Sequence, residues 1–144
     1  MGAANLDLVR RLAGADQGLA VVATSRADAT IQASVVNAGV MADPDGSRDA
    51  VALVARGGGA KLRNLAERPH ATVVFRAGWE WASVEGTSRI VGPDDTDAES
   101  LRVLLREVFT AAGGTHDDWD EYDRAMREDG RVAVFVKPDR MTSN

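Results

Sequence analysis

Residues 51–65 read VALVARGGGAKLRNL, and this stretch anchors the fold that the sequence predicts. The run 51–55 is apolar at every position, which is typical of a strand buried on both faces. Three glycines follow at 57–59, and glycine allows positive φ and close approach of backbone amides to a neighbouring group. Residues 60–67 then predict a short helix with Lys61 and Arg63 near its start. The sequence therefore predicts a central strand, a glycine turn and a basic helix start in direct succession.

The start of this helix has the properties of an anion site. A helix N-terminus presents N–H groups without intrahelical partners and a partial positive charge. Lys61 and Arg63 add two full charges, and such a combination can cradle a phosphate group. The spacing is neither that of a Walker A loop nor that of a G-x-G-x-x-G fingerprint. A strand-to-helix turn with a solvated basic face explains the same residues, and both interpretations stay open at this point.

The chain on either side of this stretch predicts a β-rich domain. Helices are predicted over 5–13 and 60–67, and a helical insertion over 97–129 begins with an amphipathic helix at 97–112. Strands are predicted over 19–24, 30–41, 49–56, 71–76, 79–91 and 131–136. Short turns join most of the strands. This favours a mainly β fold, a six-stranded antiparallel β-barrel with peripheral helices in one domain spanning 1–144.

Three residues mark predicted irregularities in these elements. Gly86 lies inside the long strand 79–91 and predicts a bulge. Pro138 is expected to end the last strand. Thr115, followed three residues later by Asp118, resembles a capping box that opens the second helix of the insertion.

Composition and charge exclude several classes of function. The 144 residues carry a formal net charge of −5, which gives general nucleic-acid binding no electrostatic support. The absence of cysteine excludes disulfides, thiolate metal sites and a cysteine nucleophile. No apolar run approaches the roughly 18 residues of a membrane span. We therefore expect a cytoplasmic protein without a membrane or nucleic-acid partner.

The sequence also lacks the usual signatures of a protein-based catalyst. The two histidines, His70 and His116, have no metal-ligand spacing, and we expect no metal. The acidic residues within 117–123 are interpreted as the solvated start of a helix. No nucleophile motif or acid–base pair is evident, so the catalytic residues are unknown. An enzyme of this composition would take its chemistry from a cofactor, and a hydride carrier fits that need.

Two polar and two aromatic side chains are further candidates for ligand contact. Gln32 and Ser34 alternate with apolar residues on strand 30–41, where they could hydrogen-bond a heterocycle or face solvent. Trp79 and Trp81 lie two residues apart on strand 79–91, so both indoles are expected on one face. They could line a flat-ligand pocket, pack a core or form a subunit contact.

The order of several short segments resembles a known superfamily. Residues 60–65 (AKLRNL), 68–72 (RPHAT) and 78–87 (GWEWASVEGT) are similar to the flavin- and deazaflavin-dependent oxidoreductases of the pyridoxamine 5′-phosphate oxidase-like, FMN-binding split-barrel superfamily. Residues 118–122 (DWDEY) and 131–134 (RVAV) add similarity to its branch that uses the deazaflavin coenzyme F420. The resemblance runs from about 19 to 138.

This resemblance implies a homodimer with two cofactor sites at the subunit interface. Lys61 matches the family's phosphate-contacting lysine, whereas Gly59 stands where relatives often carry an arginine, a charge that Arg56 could supply. The strand 31–35 corresponds to the one that lines the ring system, and the two tryptophans correspond to aromatic positions near the site or the dimer contact. The implied cofactor-binding residues are Lys61, Arg63, Arg56, Gly59, Ala60, Gln32, Ala33, Ser34, Trp79 and Trp81.

The function expected from the resemblance is that of an oxidoreductase. Reduced F420 would transfer a hydride to an unsaturated small-molecule substrate. An FMN-dependent oxidoreductase of the same fold is one alternative. A non-catalytic module that binds the cofactor or a tetrapyrrole is another.

Overall fold

The structure is a computed structural model and describes residues 4–144. The elements in chain order are α1 (Leu6–Ala15), β1 (Leu19–Ser25), β2 (Ile31–Ala42), β3 (Asp49–Arg56), α2 (Ala60–Glu67), β4 (His70–Ala77), β5 (Glu80–Val91), α3 (Ala98–Ala111), α4 (Trp119–Glu128) and β6 (Arg131–Ser143). Except at the end of β6, these bounds differ from the predicted ones by no more than about two residues.

The six strands form a closed antiparallel barrel in the order β1-β2-β3-β6-β5-β4. The predicted six-stranded antiparallel barrel with peripheral helices is confirmed. One seam of the wall is incomplete, because the ladder between β2 and β3 ends at the pair Ala38–Leu53. The first half of β2 pairs with β1 instead, and the end of β3 pairs with β6. The wall therefore opens between 31–37 of β2 and 54–56 of β3.

The barrel interior is one apolar core that the first two helices complete. Phe75 and Leu53 are among its fully buried side chains. Leu12 of α1 and Leu62 of α2 pack into the same cluster. Asn5 caps α1, since its side chain accepts a hydrogen bond from the Leu8 amide at 2.9 Å.

A second apolar cluster covers the outside of β3 and β6. Ala52 of β3 and Phe135 of β6 pack against Leu104, Leu105 and Val108 of α3. Both strands are therefore buried on both faces, which explains why residues 51–55 show no polar alternation.

Pro138 does not end β6, so that prediction is wrong. The strand continues to Ser143, beyond the last β3 pair at Val136, and from there it pairs with β5 alone. Proline is tolerated at such edge positions and at bulges. The predicted bulge at Gly86 is present, because Gly86 pairs with Pro138 and Glu85 with Arg140. A Cβ on Gly86 would lie 1.6 Å from the Lys137 carbonyl oxygen, so this position requires glycine.

Thr115 does not cap α4, which corrects the second local prediction. The cap is Asp118, whose side chain accepts a hydrogen bond from the Glu121 amide at 3.1 Å. His116 contributes a preceding turn, since its Nδ1 accepts a hydrogen bond from the Asp118 amide at 3.0 Å. The acidic first turn of α4 complements the helix dipole, as the sequence predicts.

Within residues 4–144, no helix is both long and apolar enough to cross a membrane.

Candidate functional site

The glycine turn after β3 is shaped by two of its three glycines. Gly58 has φ of +77°, a conformation that side chains rarely adopt. A Cβ on Gly57 would lie 2.5 Å from the Gly130 carbonyl oxygen, to which the Gly57 amide donates a hydrogen bond at 2.8 Å. Gly59 has an ordinary φ of −73° and gives α2 no side-chain cap. The turn therefore fastens the end of β3 to the start of β6.

The two basic residues at the start of α2 point to different places. Lys61 is half-buried, and burial together with the nearby charge of Arg131 lowers its pKa. Arg63 is exposed, and its Nη1 donates a hydrogen bond to the Gly58 carbonyl at 3.1 Å. Because successive helical residues are rotated by about 100°, positions two apart lie on nearly opposite sides of the helix. Arg63 therefore supports the turn, whereas Lys61 faces the protein.

Lys61 borders a cavity of about 460 Å³ at the opening between β2 and β3. Its lining residues are Val35, Val36 and Asn37 of β2, Val54, Ala55 and Arg56 of β3, Lys61 of α2, Val108, Phe109 and Ala112 from α3 and its C-cap, Tyr122 and Met126 of α4, and Arg131 of β6. The charged members are three cations, and no carboxylate lines this cavity in the described chain. In a protein of net charge −5, this makes a local positive site with largely apolar walls.

Arg131 is the charged lining residue that the sequence did not assign to the site. It opens β6 and is the Cα partner of Arg56 in the β3–β6 ladder. Side chains paired in this way lie on one face of a sheet, with Cβ atoms about 5 Å apart. Arg131 stood in the sequence as the first residue of a predicted strand. The strand register, which the sequence does not specify, brings it beside Arg56.

Gln32, Ala33 and Ser34 do not line the cavity. Gln32 and Ser34 face the barrel side of β2, where the Gln32 Oε1 accepts a hydrogen bond from the Asn64 Nδ2 at 3.1 Å. The same amide group of Asn64 donates to the buried Thr24 hydroxyl at 3.1 Å. Ala33 lies on the opposite, exposed face of β2. The polar pair is therefore neither on the solvent face nor turned toward the cavity, and Gln32 holds α2 to the barrel.

The two tryptophans lie away from this cavity within one chain. Trp79 precedes β5 in a turn, with 93% of its surface exposed, so the prediction that it shares a strand with Trp81 is wrong. The backbone beside both is held by Asn144, which accepts from the Trp81 amide and donates to the Trp79 carbonyl. Glu80, between them, pairs with Arg11 of α1. Residues 79–81 therefore lie at the α1 end of the barrel.

The α3–α4 wall of the cavity is rigidly built. Tyr122 donates a hydrogen bond to the Leu105 carbonyl at 2.9 Å, and burial raises its pKa to about 12. The adjacent Asp123 accepts hydrogen bonds from Arg106 and Arg102, which lower the pKa of this carboxyl group. A phenol with this pKa and a buried acceptor is a poor proton donor. Tyr122 is therefore a wall residue rather than a general acid.

An uncovered apolar surface lies beside the cavity, on the outer face of β1 and β2. Ile31 and Val35 are 59% and 67% exposed, and Val21 is the cross-strand partner of Val35. Leu19 adds a further exposed apolar side chain to this face. Large contiguous apolar patches are uncommon on the surfaces of monomeric soluble proteins.

The fold is that of the FMN-binding split-barrel class. A conserved hypothetical protein from Mycobacterium tuberculosis aligns with a TM-score of 0.71 at 18% identity, over 98% of this chain and 84% of that one. A protein described as an F420 reductase aligns with a TM-score of 0.66 at 15% identity, over 99% and 98% of the two chains. A pyridoxamine 5′-phosphate oxidase-related, FMN-binding protein from Nostoc punctiforme aligns with a TM-score of 0.63 at 11% identity, over 99% and 86%. At these identities the likeness shows the fold alone.

The family follows from the sequence itself. The model of the pyridoxamine 5′-phosphate oxidase family matches residues 10–143, so the chain belongs to this family. Its members are largely flavin- or deazaflavin-dependent oxidoreductases, and they bind FMN or F420.

Proposed function

We propose that this protein is an oxidoreductase that uses reduced coenzyme F420 to deliver a hydride to an unsaturated small molecule. The observation that carries the proposal is the cavity at the barrel opening, where cations lie beside apolar walls and no carboxylate from the described part of the chain lines the site. A phosphate-bearing ring cofactor needs both features in one place. The likeness to a protein described as an F420 reductase, which covers nearly all of both chains, supports the deazaflavin branch.

The residues present fit such a cofactor. Arg56 and Lys61 would neutralise its phosphate and acidic tail, and anion binding would relieve the cost of keeping Lys61 charged while half-buried. Val35, Val54 and Phe109 would contact the ring and exclude water. A bound reduced deazaflavin supplies the hydride. Because the Tyr122 hydrogen is held by Leu105, we assign the proton to solvent.

A second copy of the chain is part of the proposal. The exposed face of β1 and β2 would be covered by its counterpart in a homodimer, next to the cavity that contains Val35. Ala33 lies on this face and would be part of the dimer contact, whereas Trp79 and Trp81 would contact a cofactor only at the site of the partner subunit.

The dimer can be tested with a matched pair of valine variants. Val35→Glu places a charge on the proposed interface, whereas Val103→Glu does so at an exposed site on α3. Light scattering after gel filtration should show dimers for the wild-type protein and V103E, and monomers for V35E. A V35E variant that stays dimeric would place the contact elsewhere.

FMN is the second candidate cofactor. It is favoured by the likeness to an FMN-binding protein over 99% of this chain, and three cations suit its phosphate equally well. The two functions differ in reactivity, because a reduced flavin reacts with oxygen whereas a deazaflavin acts as a hydride carrier.

The deciding experiment is a parallel fluorescence titration with F420 and FMN. We expect micromolar or tighter binding of F420 and weaker binding of FMN. Lys61→Ala should weaken F420 binding by about 1–3 kcal/mol, since a charge-assisted contact is lost. Arg124→Gln is the control, because Arg124 is exposed on α4 and does not line the cavity.

Each other outcome of this titration has a definite meaning. Preference for FMN would move the protein to the flavin branch. Tight binding without reduction of any acceptor would favour the non-catalytic module. Unchanged affinity in K61A would remove Lys61 from the site.

A further inference from the structure

Arg131 has an unusual electrostatic position for a residue that opens a strand. Its cross-strand partner is Arg56, and directly opposed like charges destabilise a sheet. Lys61, the third cation of the cavity, lies close enough for the charge of Arg131 to lower its pKa. The chain carries 22 acidic residues, yet none of those within residues 4–144 lines this cavity. The arrangement is therefore costly until an anion enters it.

We propose that Arg131 is the third cation of an anion subsite formed with Arg56 and Lys61, and that this subsite binds a phosphoryl region, the phosphoryl group with any adjoining carboxylate, that carries about two negative charges. The inference rests on the proposed function and deepens it, because it names the group that β6 contributes to cofactor binding and the charge of the group that is bound.

The hydrogen bonds of Arg131 leave donors available for such a ligand. Its Nε is buried and has no hydrogen-bond partner among residues 4–144. The carboxylate of Asp129 lies 3.6 Å from that nitrogen, beyond hydrogen-bond distance, and its side chain is 43% exposed. Arg106 differs, because its Nε and Nη2 donate to Asp123 at 2.9 Å and 2.5 Å. A guanidinium has five N–H donors, so most of those on Arg131 are free to meet a ligand.

The turn that connects α4 to β6 fixes Arg131 in this place. Gly130 has φ of +62°, and its carbonyl accepts the hydrogen bond from the Gly57 amide. Arg131 is therefore tied to the same glycine turn that leads into Lys61. Contacts between β3, α2 and β6 set the backbone positions of the three cationic residues, so these positions are in place before the ligand arrives.

The charge of the ligand follows from the charges of the subsite. Three cations and one nearby carboxylate, Asp129, leave a net charge of about +2. A phosphate monoester with about two negative charges neutralises it, as does a phosphodiester with one neighbouring carboxylate. The monoester corresponds to a flavin cofactor and the diester with its carboxylate to a deazaflavin cofactor. Both present a phosphoryl region with about two negative charges.

The test is a calorimetric titration of the protein with inorganic phosphate, at low salt and pH 8. Arg131→Gln should weaken phosphate binding at least about tenfold, since a charge-assisted contact is lost. Arg131→Lys, which keeps the charge without the planar fork, should weaken it less. Arg124→Gln, with the same change of charge on the surface of α4, should bind as the wild type does. Dimethyl phosphate, with one charge, should bind the wild-type protein at least about tenfold more weakly than phosphate.

Thermal unfolding separates a binding role from a structural one. Without phosphate, R131Q should unfold at the same temperature as the wild-type protein or higher, because a like-charge repulsion is removed. With phosphate, the wild-type protein should gain more thermal stability than R131Q. A variant that unfolds earlier without phosphate and gains as much from it would overturn the proposal.

The outcomes also separate this inference from the proposed function. Equal phosphate affinity in the wild-type protein, R131Q and R131K would overturn it even if F420 binds and reacts. Equal affinity for phosphate and dimethyl phosphate would overturn the assignment of two charges. Weakened phosphate binding in R131Q, together with a wild-type protein that binds neither F420 nor FMN, would support the subsite and refute the oxidoreductase proposal.

Discussion

Replacing Tyr122 with phenylalanine tests both the packing of α3 on α4 and the source of the proton. The Tyr122 hydroxyl makes one hydrogen bond, to the Leu105 carbonyl at 2.9 Å, and the residue is 5% exposed. Leu105 lies inside α3, so its carbonyl keeps its helical partner four residues on when the hydroxyl is removed. The substitution therefore leaves no buried acceptor at this position without a hydrogen bond.

The expected loss is therefore that of one neutral hydrogen bond. We expect the free energy of unfolding, measured in urea, to fall by about 1 kcal/mol. A loss of roughly 3 kcal/mol would be expected if the substitution left a buried polar group without a hydrogen bond. Hydride transfer from reduced cofactor should be unchanged at neutral pH, since the proton comes from solvent.

The pH dependence of stability provides the second readout. The raised pKa of Tyr122, about 12, means that the folded state keeps the proton after unfolded tyrosine, with a pKa near 10, has lost it. The stabilising contribution of the phenol is thus complete below pH 10 and is lost as the pH rises toward 12. The difference in stability between wild type and Y122F should shrink over this range. Loss of turnover in Y122F with cofactor affinity intact would refute the assignment of the proton to solvent.

Three further substitutions have expected outcomes. Gly59→Arg should fold at a cost of about 1 kcal/mol, because its φ is ordinary but its Cβ would lie 3.3 Å from the Arg56 carbonyl oxygen, and it should bind phosphate more tightly by calorimetry. Leu105→Ala should lose about 2–5 kcal/mol in urea, as a core truncation, with cofactor affinity kept in the folded fraction. Gly86→Ala should lose about 3 kcal/mol or more, since its Cβ would overlap the Lys137 carbonyl and open the bulge.

Gly14 is the control for the glycine substitutions, because a Cβ there meets nothing within 4 Å. Gly14→Ala in α1 should be neutral or stabilise by up to about 1 kcal/mol. A G86A variant as stable as G14A would show that the β5–β6 bulge adapts readily. Loss of folding in G59R would show that the turn requires glycine at 59 as well as at 57 and 58.

The strands were predictable because their signals are local. The apolar run at 51–55 indicates burial on both faces whatever covers it, and in the structure the interior core and α3 cover it. The proline rule failed at Pro138 because it describes central strands. Whether a strand segment is central depends on how far its neighbouring strand extends. β3 pairs with β6 only as far as Val136, so the segment of β6 that contains Pro138 lacks β3 as a neighbour.

The candidate site was predictable only where it is contiguous in the chain. Arg56 and Lys61 lie five residues apart around one turn, and the structure brings both to the cavity. Arg131 joins them through strand register, 70 residues beyond Lys61, and its local sequence, although part of the resemblance, does not indicate that it lies beside Arg56. For Gln32 the local pattern was visible in the sequence, but the position of its side chain was not. Its alternation with apolar residues was evident, but the partner that occupies its side chain, Asn64, lies on a helix far along the chain.

The incomplete seam between β2 and β3 explains why the cavity lies where it does. A closed barrel of this size fills its interior with side chains, as Phe75 and Leu53 do here, and leaves no room for a ring inside. Where the ladder stops at Ala38 and Leu53, the facing strand edges no longer pair with each other. Edges of this kind present backbone donors and acceptors, which can recognise the polar rim of a heterocycle without dedicated side chains. We therefore expect ring recognition to depend on backbone groups at 35–37 and 54–56, and charge recognition to depend on Arg56, Lys61 and Arg131.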